Sequence, residues 1–152
     1  MAFDENGFFR TGDIFERRGA KYYMHGRASV DVISNEGQLV FAADVEALIL
    51  SLPYVQDVYV VPITQVGSKG KKVAALIRPT VETTLDASIT VDHLCRDLKR
   101  LGLEEYQLPV AIQLTAPDVP LPMGTGGKKG KAQAIKKYFP GQWEVYLDRE
   151  KA

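Results

Sequence analysis

The sequence predicts an α+β fold: an N-terminal β-hairpin, then a small sheet covered by helices. Three observations predict it. Short runs of β-branched and aromatic residues have strand length, as in Val55 to Ile63 and Val73 to Ile77. Two segments, Ala42 to Leu52 and Val91 to Leu101, repeat apolar residues at helical spacing. Glycine, proline and small polar residues punctuate the chain between these runs. The order after the first hairpin reads β-α-β-β-α-β-loop-α, a pattern of mixed layers around one core.

Each element has a local cause. Phe8 to Gly26 reads as a hairpin, with Phe8, Phe9, Ile14 and Phe15 before the turn at Arg18-Gly19 and Tyr22, Tyr23 and Met24 after it. Val30 to Ile33 is a short apolar strand, broken by the polar loop Ser34-Asn35-Glu36-Gly37. In the first helix Val45, Leu48, Ile49 and Leu52 share one face. Ala42 and Ala43 favour helix, Asp44 and Glu46 suit its positive end, and Pro53 stops it. Val55 to Ile63 and Val73 to Ile77 pair antiparallel across the polar turn Gln65 to Lys72, and Pro79 closes the second strand. Thr80 to Thr90 is a polar connector. Thr90 or Asp92 caps the second helix and Gly102 ends it. Val110 to Leu114 is a strand. Pro117, Pro120 and Pro122 make a stiff approach to Met123-Gly124-Thr125-Gly126-Gly127. A last helix, Lys131 to Tyr138, stops at Pro140.

Composition excludes several functions. The chain has 152 residues, with 19 Lys plus Arg against 19 Asp plus Glu. That balance leaves none of the basic excess expected of a nucleic-acid binder. Lys128, Lys129, Lys131, Lys136 and Lys137 nevertheless crowd the C-terminal third, which favours a local anionic ligand. Cys95 is the single cysteine, so no internal disulfide forms, and its place in the stripe Leu94, Leu98, Leu101 reads as a buried structural thiol. Two histidines, His25 and His93, make no zinc site, and no metal site is expected. No apolar run reaches the ~20 residues of a membrane span, and no signal peptide opens the chain. Cytoplasmic location is the default, with organelle import through another signal left open.

Two constellations carry chemistry. Gly124, Gly126 and Gly127 free the backbone to approach a ligand, Lys128 follows at once, and the loop opens a helix whose amides favour an anion. It is no Walker loop, because Pro122 takes the first required glycine position and Lys129 replaces the magnesium-binding Ser or Thr. A solvated basic loop is the competing reading. The second constellation is Arg10-Thr11-Gly12-Asp13 with Gly26-Arg27 after the hairpin. A carboxylate accepts two ribose hydroxyls, and a guanidinium forks onto a hydroxyl or phosphate. A turn residue and a surface ion pair are the plainer alternatives.

The order of these motifs resembles the adenylate-forming acyl-CoA synthetase superfamily. Gly7-Phe8-Phe9-Arg10-Thr11-Gly12-Asp13 is similar to the motif that ends the large domain of such enzymes. Gly26-Arg27-Ala28-Ser29-Val30-Asp31-Val32-Ile33 resembles the segment that holds a ribose-contacting Arg and the interdomain hinge. Val40-Phe41-Ala42-Ala43-Asp44-Val45-Glu46 is similar to the entry into the first helix of the C-terminal lid. Tyr106-Gln107-Leu108-Pro109 matches the family's Tyr-x-x-Pro. Leu121-Pro122 through Gly127-Lys128 resembles the Leu-Pro-x-Thr-x-x-Gly-Lys motif. The resemblance runs from about Gly7 to Phe139, and Gly-Arg-x-Ser-Val-Asp leans toward ligases of the malonyl-CoA synthetase kind.

The resemblance implies the end of a large-domain hairpin and hinge at 1–29, a lid domain at 30–140 and a tail at 141–152. It assigns Lys128 to adenylation catalysis, with Lys129 or Lys131 in its place if the loop is shifted. Asp13 and Arg27 contact nucleotide. Ser29 and Val30 lie at the hinge. Glu36 and Gly37 lie in the loop bordering the thiol acceptor, where Ser34-Asn35-Glu36-Gly37 departs from the common Lys-x-Gly-Gly. ATP with Mg, held mainly by a large domain, is the implied cofactor, and CoA or phosphopantetheine the acceptor. A large adenylation domain, in cis or in trans, and a small carboxylic acid are the implied partners. The family's phosphate-binding loop and acyl pocket fall outside this sequence, so the chain alone is expected to be inactive. Three readings stand: a piece of an acid–thiol ligase, a free-standing lid that complements a separate large domain, and a degenerate binding module without catalysis.

Overall fold

The computed structural model describes residues 13–27, 30–65, 70–82 and 89–140. The expectations placed on Gly7 to Gly12, on Ser29 and on the tail 141–152 lie outside the described residues.

β1 (Asp13–Arg18) and β2 (Lys21–Arg27) form the expected antiparallel hairpin, turning at Gly19 with φ +63°. The register shifts once, between Ile14 and Phe15. A second hairpin follows, from β3 (Val32–Asn35) and β4 (Gln38–Phe41). Here the structure adds a strand: β3 runs on through Ser34 and Asn35, expected in the loop, and Glu36 and Gly37 alone make the hairpin's turn. Asn35 sits at an inward position of β3 and is 7% exposed, and its amide is satisfied there. It donates to the Tyr106 carbonyl at 2.8 Å and accepts from Lys72 Nζ at 3.0 Å. A buried polar side chain with both ends bonded is tolerable, yet in the sequence it reads as loop.

α1 (Ala42–Leu50) then buries Ala42, Val45 and Ile49. β5 (Val55–Thr64) and β6 (Lys71–Pro79) pair antiparallel as expected. β7 (Ala111–Leu114) joins β6 in parallel, so the sheet order is β5-β6-β7. A parallel pair needs a long crossover, and α2 (Val91–Arg100) lies within it. Thr90 Oγ1 accepts the His93 amide at 3.1 Å and caps α2, and Gly102 at φ +98° follows its end. α3 (Lys131–Tyr138) closes the described chain.

The two faces of the β5-β6-β7 sheet carry separate cores. Val58, Val60, Val73, Ala75 and Ile77 pack with Val45 and Ile49 of α1 and Leu94 and Leu98 of α2. Tyr59, Val61, Ile63, Ala74 and Leu76 pack with Leu121, Ala134 and Phe139. Helices thus cover both faces, which explains why β5 and β6 read as nearly continuous apolar runs rather than alternating ones. Cys95 is half-buried and donates its thiol to the Pro109 carbonyl at 3.3 Å; burial, first, pushes its pKa up. Leu101, expected on the same stripe, is exposed. Among the described residues, no group of three or more His, Cys, Asp or Glu is placed to hold a metal ion. No helix among them is long and apolar enough to cross a membrane.

Candidate functional site

The glycine–lysine loop runs between β7 and α3 as a closed neck with an open tip. Leu121 anchors it in the second core. The Tyr59 hydroxyl donates to the Pro122 carbonyl at 2.6 Å. The Gly130 amide donates to the same carbonyl at 2.9 Å, and the Gly124 amide to the Lys128 carbonyl at 2.7 Å. Met123 and Lys129 pair as an isolated antiparallel bridge. Gly130 permits this close approach, since a Cβ there would meet Pro122 O at 2.7 Å. At the tip, Gly126 and Gly127 take φ +72° and +76°, a region that favours glycine. Burial pushes the Tyr59 pKa up, the Asp57 and Glu46 carboxylates add to it, and its hydroxyl stays a donor to the neck.

The neck separates three lysines that look alike in sequence. Lys131 is 3% exposed, with Nζ 3.1 Å from Glu46 Oε1 and 3.2 Å from Asp31 Oδ1. Lys129 Nζ lies 3.4 Å from Glu46 Oε2 and 5.8 Å from the Tyr59 ring centre. The Lys128 side chain is exposed and makes no hydrogen bond or ion pair among the described residues. Among the described residues of this loop, Lys128 is thus the lysine with no carboxylate beside it, while Lys129 is exposed but faces Glu46.

Glu46 corrects the sequence reading. It is no solvated acid at a helix start; it is 6% exposed and also accepts the Val60 amide at 3.3 Å. Asp44, in the first turn and exposed, keeps the helix-end position. The joining of Glu46 and Asp31 to Lys131 was missed, and sequence spacing holds no signal for a pair 85 positions apart.

The other expected site residues lie elsewhere on the fold. The hairpin register makes Asp13 the direct cross-strand partner of Arg27. Val30 is half-buried in the turn before β3. Glu36 and Gly37 form the β3–β4 turn, both at positive φ, +51° and +88°. Glu36 Oε1 lies 3.5 Å from Lys72 Nζ. Asn35 bridges to Gly70, where a Cβ would fall 2.6 Å from the Ser34 carbonyl, so this turn is braced against the base of the β5–β6 connection.

No protein-family model matches the chain. It is 31% identical over 142 residues to the mitochondrial malonate–CoA ligase ACSF3 of Homo sapiens, which covers 91% of this chain and 23% of that ligase. It is 27% identical over 138 residues to the acyl-CoA ligase oryP of Aspergillus oryzae, covering 91% of this chain and 24% of the relative. The chain thus spans about a quarter of the length of the curated relatives it matches. Among solved structures, it superposes on ATP-bound MatB from Rhodopseudomonas palustris with a TM-score of 0.71, at 22% identity over 93% of this chain and 26% of that one. A fatty acyl CoA synthetase of Mycobacterium tuberculosis superposes with a TM-score of 0.63, at 27% identity over 88% of this chain and 25% of that one.

Proposed function

Because the chain belongs to the adenylate-forming acyl-CoA synthetase superfamily, where it corresponds to the C-terminal lid domain, we propose that it is the moving lid of an ATP-dependent acid–thiol ligase. On this reading 1–29 ends a large domain, the hinge falls at Ser29 and Val30, 30–140 is the lid, and 141–152 is a tail. The observation that carries the proposal is the sorting of the loop lysines. Lys128 is exposed and unpaired beyond a hydrogen-bonded neck, while Lys129 and Lys131 are held by Glu46.

The reaction has two halves. A carboxylate oxygen attacks the α-phosphorus of ATP, and pyrophosphate leaves. The thiol sulfur of CoA or phosphopantetheine then attacks the acyl carbon, loses its proton and displaces AMP. Lys128 neutralises charge as the carboxylate meets the α-phosphate, an effect commonly worth ~10²–10³ in rate. Asp13 and Arg27, opposite each other in the hairpin register, serve the nucleotide. Mg accompanies ATP in the large domain. Rotation at the hinge exchanges the lid face shown to the centre, so that the Glu36-Gly37 turn borders the thiol in the second half.

The test is a fusion of this chain to the large domain of a malonate–CoA ligase relative. Lys128→Ala is expected to lower pyrophosphate release by ~10²–10³ while largely sparing thiolation of supplied acyl-AMP. Lys129→Ala is expected to change adenylation by less than about tenfold, since its amine already faces Glu46. Equal losses from both substitutions would replace the single-lysine reading with a diffuse basic patch. A silent Lys128→Ala would leave the lid a binding module.

A further inference from the structure

A buried amine lies beneath the loop, and the proposed chemistry does not use it. Lys131 Nζ touches Glu46 Oε1 and Asp31 Oδ1 at 3.1 and 3.2 Å, and its side chain is 4% exposed. Glu46, at 8% side-chain exposure, also takes Lys129 and the Val60 amide. Among the described residues, two ammonium groups thus face two carboxylates. A buried ion pair is weak evidence of added stability, because well-packed apolar residues commonly serve as well. Its distinctive property is cohesion, since separating the buried partners would leave an uncompensated charge behind.

The contacts of Lys131 join segments that matter to a moving lid. Lys131 is the first residue of α3 and follows Gly130, whose amide closes the loop neck. Asp31 follows the expected hinge residue Val30, and its carbonyl accepts the Ala42 amide at 2.9 Å, which ties it to the start of α1. Glu46 adds α1 itself, and the Val60 amide adds β5. One amine therefore links the root of the Lys128 loop to the first residues beyond the hinge.

We propose that Lys131 is a positioning residue, a buried latch through which hinge rotation carries the Lys128 loop as one rigid body. That the hinge turns and that Lys128 is its cargo rest on the proposed function; the contacts that make Lys131 a latch do not.

The test separates the two. In the full chain, Asp31→Asn removes the hinge-side leg of the latch, and Lys131→Met removes the amine. Hydrogen exchange is read at the Gly124 and Gly130 amides of the neck and at Val61 and Leu76 in the sheet. Both variants are expected to speed exchange at the neck by about tenfold or more, with Asp31→Asn leaving the sheet unchanged. Should Lys131→Met not fold, Asp31→Asn, on the partly exposed partner, carries the result. In the fusion, Asp31→Asn is expected to lower kcat for adenylation about tenfold, with KM for ATP and thiolation kept. Lys131→Arg, which keeps the charge, is expected to restore part of the neck protection lost in Lys131→Met. Unchanged neck exchange in Asp31→Asn, or equal loosening of neck and sheet, overturns the latch whatever Lys128 does. Loosened exchange with a silent Lys128→Ala upholds the latch and discards the adenylation role.

Discussion

Gly130→Ala tests the geometry that separates the lysines. An added Cβ would lie 2.7 Å from Pro122 O, 2.8 Å from Pro122 C and 2.9 Å from Met123 C. Carbon atoms rest about 3.5–4.0 Å apart, and all three neighbours are backbone, so no rotamer change clears them. The backbone at Gly130 has φ −83° and ψ +56°, near the inverse γ-turn, which alanine can adopt. On conformational entropy alone the change would stabilise by about 0.4–1 kcal/mol through the unfolded state. Overpacking opposes it by about 1–3 kcal/mol. Moving the chains apart also weakens the Gly130–Pro122 hydrogen bond of 2.9 Å, about 0.5–1.5 kcal/mol. The clash wins, with a net loss of roughly 1–4 kcal/mol. Urea unfolding of the chain should show a lower midpoint at constant slope. In the fused ligase, adenylation should fall although Lys128 is intact. A midpoint equal to or above that of the parent chain would mean that Pro122 and Gly130 do not meet, and the neck would be discarded.

Two further perturbations probe the supporting fold. The Tyr54 hydroxyl donates to Asp97 Oδ2 at 2.7 Å, and burial, first, then that carboxylate push its pKa above the ordinary tyrosine range. A raised folded pKa contributes stability that is complete below the unfolded value and is lost as pH climbs through the folded one. Stability should thus fall above about pH 10, and Tyr54→Phe should flatten that slope in denaturation curves taken at pH 7, 10 and 11; an unchanged slope would assign the effect elsewhere. Thr90→Ala removes the side-chain acceptor of the His93 amide and should cost about 0.5–2 kcal/mol by thermal unfolding; no loss would mean that solvent serves that amide as well.

What could be read from the sequence was local. The stripe of Val45 and Ile49, the cap at Thr90, the stop at Gly102 and the span of α3 each follow from neighbours within a few residues. β4 escaped because its turn places Glu36 and Gly37, rather than Asn-Gly, at two positive φ positions. The inward Asn35 also masks the period-2 pattern of β3. The parallel pairing of β7 with β6 has no local signature, since register there is set by packing across α2. In the loop, the sequence shows three lysines within four positions, 128, 129 and 131. Which of them is buried depends on a glutamate 85 positions before Lys131.

That distant glutamate also bears on why one lysine stays unpaired. A flexible amine beside a carboxylate tends to pair with it, and Glu46 already has its partners among the described residues. Glu46 accepts Lys131 on Oε1 and Lys129 and the Val60 amide on Oε2. Asp31 takes the other side of Lys131. With two cations already matched to two carboxylates, a third gains little by approaching. The closed neck at Met123 and Lys129 adds a geometric barrier, because it anchors the backbone on both sides of the tip. On the proposed function, Lys128 is left exposed at the tip, where its charge gains strength once a bound anion excludes water around it. On the proposed function, Glu46→Gln frees Lys129, while Asp31 still holds Lys131; Lys129 then competes with Lys128 for the same anion, and the fused ligase is expected to release pyrophosphate more slowly, an unchanged rate separating Glu46 from the work of Lys128.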